Sequence, residues 1–308
     1  MTDTTDTTDT TDTTEDIMTP QLIATCWTSA GDAAPLRADE SSPIPLAERI
    51  ALVAATGWSG IGLVHADLLH ARDTIGYDAL ATLIREAGID IVEVEFLNDW
   101  WTTGAERVAA DRLKADLFEA ATALGARHIK VGAGHTEDPL PLATIAGAFA
   151  DLADEAADAG IRLALEATPF SHLRTTAEAV EVVTASDSPS AGLMIDIWHT
   201  HKTGLTHDRL WDVVPIERVA AVEVDDGFDR HNATVADIVD DTINHRTYCG
   251  KGDFDTQTFI GRTLQAGYRG PWGVEIISHE HRRLPVAEGL RIAHDTAVRC
   301  FDAAAAPR

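Results

Sequence analysis

Eight short apolar runs, each followed by a longer amphipathic stretch, constrain this chain more than any other feature of its sequence. The runs begin near Gln21, Ser59, Asp90, His128, Arg162, Ala191, Val219 and Trp272. Between them lie Ala-rich segments of helical period at 45–56, 77–87, 105–124, 140–159, 176–186, 207–211, 255–266 and 285–301. Gly57, Gly88, Gly125 and Gly160 close four of these segments just before the next run, where a left-handed helix stop is expected. Strand–helix alternation implies a parallel sheet. Eight such units in 308 residues predict a single α/β domain, a closed (β/α)8 TIM barrel, rather than a doubly wound sheet. No GxGxxG follows the first run and no P-loop is present, so dinucleotide or nucleoside-triphosphate binding is not expected.

The chain opens on a Thr/Asp repeat with nothing to bury, and residues 1–18 read as a disordered tail preceding a barrel at 19–308. The formal net charge is −26; Asp3, Asp6, Asp9, Asp12, Glu15 and Asp16 supply six of those charges, leaving −20 on the body. So acidic a body repels phosphate backbones, which argues against nucleic acid as a partner. No uninterrupted apolar run reaches membrane-spanning length, and no secretory signal order is visible. Cys26, Cys249 and Cys300 are odd in number and lack CxxC spacing, which disfavours a disulfide framework and fits a reducing cytoplasm.

Carboxylates interrupt the strands. Arg162-Leu-Ala-Leu-Glu166, Gly192-Leu-Met-Ile-Asp196, Ala221-Val-Glu-Val-Asp225 and Trp272-Gly-Val-Glu-Ile276 each place one or two acids among aliphatic residues. A buried charge is costly unless paired or metal-bound. Side chains alternate faces along a strand, and with the branched aliphatics facing the helices, Glu166, Asp196, Glu223, Asp225 and Glu275 all point into the barrel near its C-terminal, active face. By the same parity Val92, Val94 and Phe96 face the helices while Glu93 and Glu95 face inward, and Ile129 and Val131 face out, leaving His128, Lys130 and Gly132 inside. Like-charge repulsion would push some of these carboxyl pKa values up, and a divalent cation removes that penalty. All-oxygen ligation favours Mg²⁺ or Mn²⁺; a nearby nitrogen tilts the choice to Mn²⁺, Co²⁺ or Zn²⁺. The plainer alternative is that Glu223 or Glu275 pairs with Lys130 or Arg246.

Leu-Glu-Ala-Thr at 165–168, Asp196-Ile-Trp-His199, Val222-Glu-Val-Asp-Asp226, Gly250-Lys-Gly-Asp-Phe-Asp255 and Gly267-Tyr-Arg-Gly-Pro-Trp-Gly-Val-Glu275 together resemble the sugar phosphate isomerase/epimerase family of xylose isomerase-like barrels. The resemblance implies one Mn²⁺, Mg²⁺ or Co²⁺, most readily Mn²⁺, held at Glu166, Asp196, Glu223 and Glu275. The family more often has His or Gln where Glu223 stands. Within the family, Gly60-Ile-Gly-Leu-Val-His-Ala-Asp-Leu68 and Val92-Glu-Val-Glu-Phe-Leu-Asn-Asp-Trp-Trp101 look most similar to the large subunit of bacterial C-glycoside deglycosidases. That implies a lyase that enolises a 3-keto C-glycoside and expels its aglycone, working with a small second subunit in a higher oligomer.

Such chemistry needs a Lewis acid on a carbonyl and a base poised near neutrality. His135, in the turn Val131-Gly-Ala-Gly-His135, is the candidate general base or acid. His199, three residues beyond Asp196, is the candidate substrate binder and second proton-transfer group, with Glu166 and Glu275 as rivals for proton transfer. Lys130 is expected to stabilise an enolate oxygen or to pair with a carboxylate. His65 and Glu95 are candidates for sugar hydroxyls or for a buried network, and Arg246 for a hydroxyl or phosphate or for a surface role. Trp100 and Trp101 read as an apolar rim or a subunit contact, and Cys249 as packing. Two other functions remain open: a ketose epimerase, sugar isomerase or inosose dehydratase, and a non-catalytic barrel with a structural metal. A DNA endonuclease on the same barrel is disfavoured by the acidic body.

Overall fold

The structure, a computed structural model, describes residues 20–306, so the expected tail lies outside the described residues. Eight parallel strands close into a barrel in chain order. They are β1 (Leu22–Ala24), β2 (Gly60–Val64), β3 (Ile91–Leu97), β4 (Ile129–Val131), β5 (Leu163–Glu166), β6 (Leu193–Asp196), β7 (Val219–Val224) and β8 (Trp272–Val274). The last strand pairs with the first, Trp272 opposite Leu22 and Val274 opposite Ala24, leaving no edge.

Around the barrel run α1 (Cys26–Ser29), α2 (Leu46–Ala55), α3 (His65–Thr74), α4 (Tyr77–Glu86), α5 (Gly104–Leu124) and α6 (Leu142–Asp158). The second half adds α7 (Thr176–Ala185), α8 (Ile197–Lys202), α9 (His207–Val213), α10 (Val235–Asn244), α11 (Thr256–Gln265) and α12 (Val286–Ala305). Every expected strand and helix is present. Gly57, Gly88, Gly125 and Gly160 all have positive φ, and Gly125 turns its amide back onto the carbonyls of Ala121 and Thr122. Thr175 with Glu178, and Thr234 with Asp237, form reciprocal capping boxes that fix the starts of α7 and α10.

The core is a sleeve between strands and helices. Val92, Val94, Ile129, Val131, Leu163, Leu165, Leu193, Ile195, Val222 and Val224 all join it with helix residues such as Leu117 and Phe149. Each such buried aliphatic side chain contributes about 1.5–3 kcal/mol. Inside the barrel a separate small cluster of Ala164, Met194, Ala220 and Ala221 sits below the polar layer. Alternation therefore sorts the two faces as expected outside two register shifts: one on β7, where the extra residue brings both Ala220 and Ala221 into the inner cluster, and one on β3 that corrects an expected facing. The β3–β4 register shifts between Val94 and Leu97, so Leu97 takes the helix-facing place and Phe96 turns toward the cavity above the barrel. An irregularity of this kind adds a residue to one strand and reverses the facing of every later residue in it.

Candidate metal centre and active-site cavity

Seven carboxylates crowd the barrel axis: Glu93 and Glu95 on β3, Glu166 on β5, Asp196 on β6, Glu223 on β7, Asp225 just past β7 and Glu275 just past β8, all buried. Two permanent cations face them. Lys130, from β4, places Nζ 2.7 Å from Glu223 Oε1, 2.7 Å from Glu275 Oε1 and 3.8 Å from Glu95 Oε2. Arg246, between α10 and α11, donates to Asp196 Oδ2 at 2.8 Å, lies 3.0 Å from Glu275 Oε2 and makes a very short contact with Asp225. The plainer alternative for Glu223 and Glu275 is thus realised for both. Arg246 is not a surface residue: it is 2% exposed and stacks on the Trp198 ring.

Two cations do not neutralise seven acids. Burial, reinforced by neighbouring acids and opposed by Lys130, pushes Glu166 up to about 8. Glu93 is pushed up to about 7, chiefly by burial, and Glu223 and Asp225 are raised well above the carboxylate range by burial and like charges, Glu275 foremost for Glu223 and Asp196 for Asp225. Lys130, although burial opposes its charge, is held protonated by Glu223 and Glu275. A surplus of this sign in a dry site is what a divalent cation relieves.

The donor set fits such an ion. Glu166, Asp196 and His199 present ligand atoms within 4.8 Å of one another, and so do Asp196, Glu223 and Glu275. Glu166 Oε1 and His199 Nδ1 are buried without a hydrogen-bond partner, so both keep lone pairs to offer. His199 Nε2 lies 3.6 Å from Asp196 Oδ2 and 3.8 Å from Glu166 Oε1. Burial, aided by Arg246, drives its pKa well below the usual value, so the ring is neutral and able to ligate. His199 was expected at the substrate; it stands within the candidate ligand group.

A cavity of about 300 Å³ opens above this layer. Glu95, Lys130, Glu166, His199, Arg246 and Glu275 form its polar floor, and His65 and His135 also line it. Its walls carry Trp27, Leu36, Phe96, Phe170, Ile243 and Ile277. His135 stacks on Phe170, ring centroids 5.0 Å apart, and burial lowers its pKa against the opposing pull of Asp99. His65 is tied by Nε2 to Asp116 on α5 at 3.0 Å. Glu95 accepts the Cys26 amide at 3.1 Å.

Trp100 is not part of a rim. It is 3% exposed, donates from Nε1 to the Gly132 carbonyl at 2.7 Å and packs edge-on against Phe149. Trp101 is half-buried against His172. Cys249 is packed in the core, as expected. The cavity also takes in Trp27, Phe96, Thr168 and Phe170, which the sequence does not mark for this role: Thr168 ends the Leu-Glu-Ala-Thr motif at 165–168, while Phe170 carries no sequence signal of its own.

The fold and the inward acid cluster define a metal-competent α/β barrel. The chain belongs to the xylose isomerase-like TIM barrel family, whose model matches residues 50–295. It is 26% identical over 257 residues to a 3-dehydroshikimate dehydratase of Pseudomonas aeruginosa, covering 80% of this chain and 39% of that protein. The chain thus spans about two fifths of that relative's length. An inosose isomerase of Halalkalibacterium halodurans is 26% identical over 150 residues, 48% of this chain and 51% of that protein. Among solved structures, the IolI protein with a bound zinc atom superposes with a TM-score of 0.74 at 19% identity, covering 92% of this chain and 98% of that one. A D-allulose 3-epimerase from Methylomonas sp. in complex with D-allulose gives a TM-score of 0.67 at 19% identity, covering 91% and 96%. At such identities the superpositions speak for the fold. Among the described residues, no helix is long and apolar enough to cross a membrane.

Proposed function

We propose that this chain is a divalent-metal-dependent enzyme that enolises an oxidised sugar, and that its reaction is a lyase step releasing an apolar aglycone from a 3-keto C-glycoside. The observation that carries the reading is the division of the cavity: a floor of acids and cations beneath walls of Trp27, Leu36, Phe96, Phe170, Ile243 and Ile277. A polar sugar suits the floor, and the walls suit a planar apolar substituent.

Glu166, Asp196 and Glu275, with Glu223 or His199, would hold the ion. When bound, it supplies a Lewis acid for the sugar ketone; Mn²⁺ suits the mixed oxygen and nitrogen donors. His135, kept neutral by burial, takes the proton from the carbon between the ketone and the anomeric carbon. Lys130 and Arg246 offset the negative charge that this step adds to the floor. The electron pair then forms the ring double bond while the anomeric carbon–aglycone bond breaks, and the leaving carbon takes a proton from the protonated histidine. A small second subunit and a cytoplasmic setting belong to this reading.

A second reading, a dehydratase or epimerase of a free keto sugar or cyclitol, is favoured by the dehydratase and isomerase relatives and shares the enolisation step. The deciding experiment incubates the chain, alone and with a candidate small subunit, with Mn²⁺ and either a flavone 3-keto C-glucoside or free ketoses. Aglycone release supports the lyase. Interconversion or dehydration of the free sugars, with no aglycone released, replaces it by the second reading.

A further inference from the structure

Two of the acids expected to ligate the metal are held by a single ammonium. Lys130 Nζ touches both oxygens of Glu223, at 2.7 and 2.8 Å, and Oε1 of Glu275 at 2.7 Å. Glu223 has no other ion-pair partner among the described residues, whereas Glu275 also has Arg246 on its second oxygen. Small neighbours make room for the pair. Gly273 lies beside Glu223 across the β7–β8 register, and a Cβ there would come within 2.7 Å of Glu223 Cγ. Ala164 lies beside Lys130 on β5. On the other side of the cluster, Glu166 Oε1 and His199 Nδ1 are buried without hydrogen-bond partners. Glu223 Oε1 also lacks a hydrogen-bond partner, but Lys130 Nζ lies 2.7 Å from it, whereas among the described residues no lysine or arginine stands within ion-pair reach of Glu166.

We propose that Lys130 and Glu223 act as one neutral unit, with Glu223 serving as the counter-ion of the lysine and not as a metal donor. The ion is then held by Glu166, Asp196, His199 and Glu275, and Lys130 limits how tightly it is held. The charge mismatch at Glu223 is thereby resolved within the protein, since a glutamate bonded to a lysine carries the same net charge as a neutral ligand. This inference rests on the metal reading above.

The test uses Co²⁺ as the probe, with its visible absorption and its affinity measured on the full chain. Four proteins are compared: wild type, Lys130→Met, Glu223→Gln and the double variant, with circular dichroism confirming the fold. Lys130→Met should tighten Co²⁺ binding by about tenfold or more, because it frees Glu223 and one oxygen of Glu275, and should alter the spectrum as Glu223 becomes available. Glu223→Gln should weaken binding by about tenfold, because the ammonium then competes harder for Glu275. The double variant, isoelectric with wild type and safe against misfolding of Lys130→Met alone, should bind within about threefold of wild type with a superimposable spectrum. A shifted spectrum in the double variant would show Glu223 to be a donor and overturn the proposal, as would unchanged affinity in Lys130→Met. If wild type binds no Co²⁺ and Lys130→Met does, the metal reading fails while the lysine's role stands. Absence of binding in all four proteins sinks both.

Discussion

Arg246→Met is the substitution that most directly exposes how the acid cluster is balanced. The guanidinium serves Asp196, Asp225 and Glu275 at once and is 2% exposed. Methionine keeps an apolar stem against Trp198, so the change removes charge with little loss of packing. Taking one partner from a buried ion pair costs about 3–5 kcal/mol; Asp225 loses its one ion-pair partner among the described residues while Asp196 and Glu275 each lose a contact and keep the Trp198 amide and Lys130, which places this case at the upper end. At about 2 °C per kcal/mol for a domain of this size, the midpoint of the metal-free protein at pH 8 should fall by about 10 °C. The sign with pH is fixed by the acids left behind. Burial already raises Asp225 well above the usual range against the pull of Arg246, and losing the arginine raises it further. The folded variant then binds more protons than its unfolded chain, and its stability falls as pH rises. Urea unfolding in EDTA at pH 5 and pH 8 measures this directly, and the deficit should be smaller at pH 5. A deficit below about 1 kcal/mol at pH 8, or one equal at both pH values, would refute this balance of charges.

Three further outcomes are expected from the same geometry. Metal-free wild type should lose stability as pH rises from the ordinary glutamate value of 4.5 toward 8, because folded Glu166 keeps its proton over that window while the unfolded chain does not; saturating Mn²⁺, which binds the ionised form, should flatten the slope in thermal melts. Gly132→Ala puts a Cβ 2.2 Å from the Phe96 ring, so it should cost about 1–3 kcal/mol in urea unfolding, and adding Phe96→Ala should return most of that. His135→Ala should lower kcat by about 10²–10⁴-fold while divalent-metal affinity, measured by titration, stays unchanged; a parallel loss of metal would move His135 out of the proton-transfer role.

The barrel was legible because its two periodicities are written plainly: branched aliphatics on alternate positions, and helices stopped by glycines that adopt positive φ. Helices α3 and α8 escaped notice because each starts on the residue directly after its strand, with no turn signal between them. Helix α10 lay concealed in the polar connection at 226–253, where only the Thr234–Asp237 capping box marks its start. In the site, strand parity placed the inward acids together, and Lys130 and Arg246 stood as the alternative partners of Glu223 and Glu275 that the structure realises. Parity could not show that Lys130 reaches across the barrel from β4 to β7, a contact between residues 93 apart in sequence. Nor could it place Arg246, whose burial depends on a loop folding back over the barrel and not on any local pattern. Parity failed at Phe96, where the register shift is a property of two strands and not of one.

That shift separates two duties that strand residues ordinarily share. Leu97 anchors the third strand to the helical sleeve, so Phe96 is released from holding the barrel together and stands as a free wall of the cavity. Its side chain can be exchanged with little consequence for the scaffold, provided Gly132 remains small. A change of substrate shape in this barrel, by descent or by design, has an inexpensive point of entry at position 96.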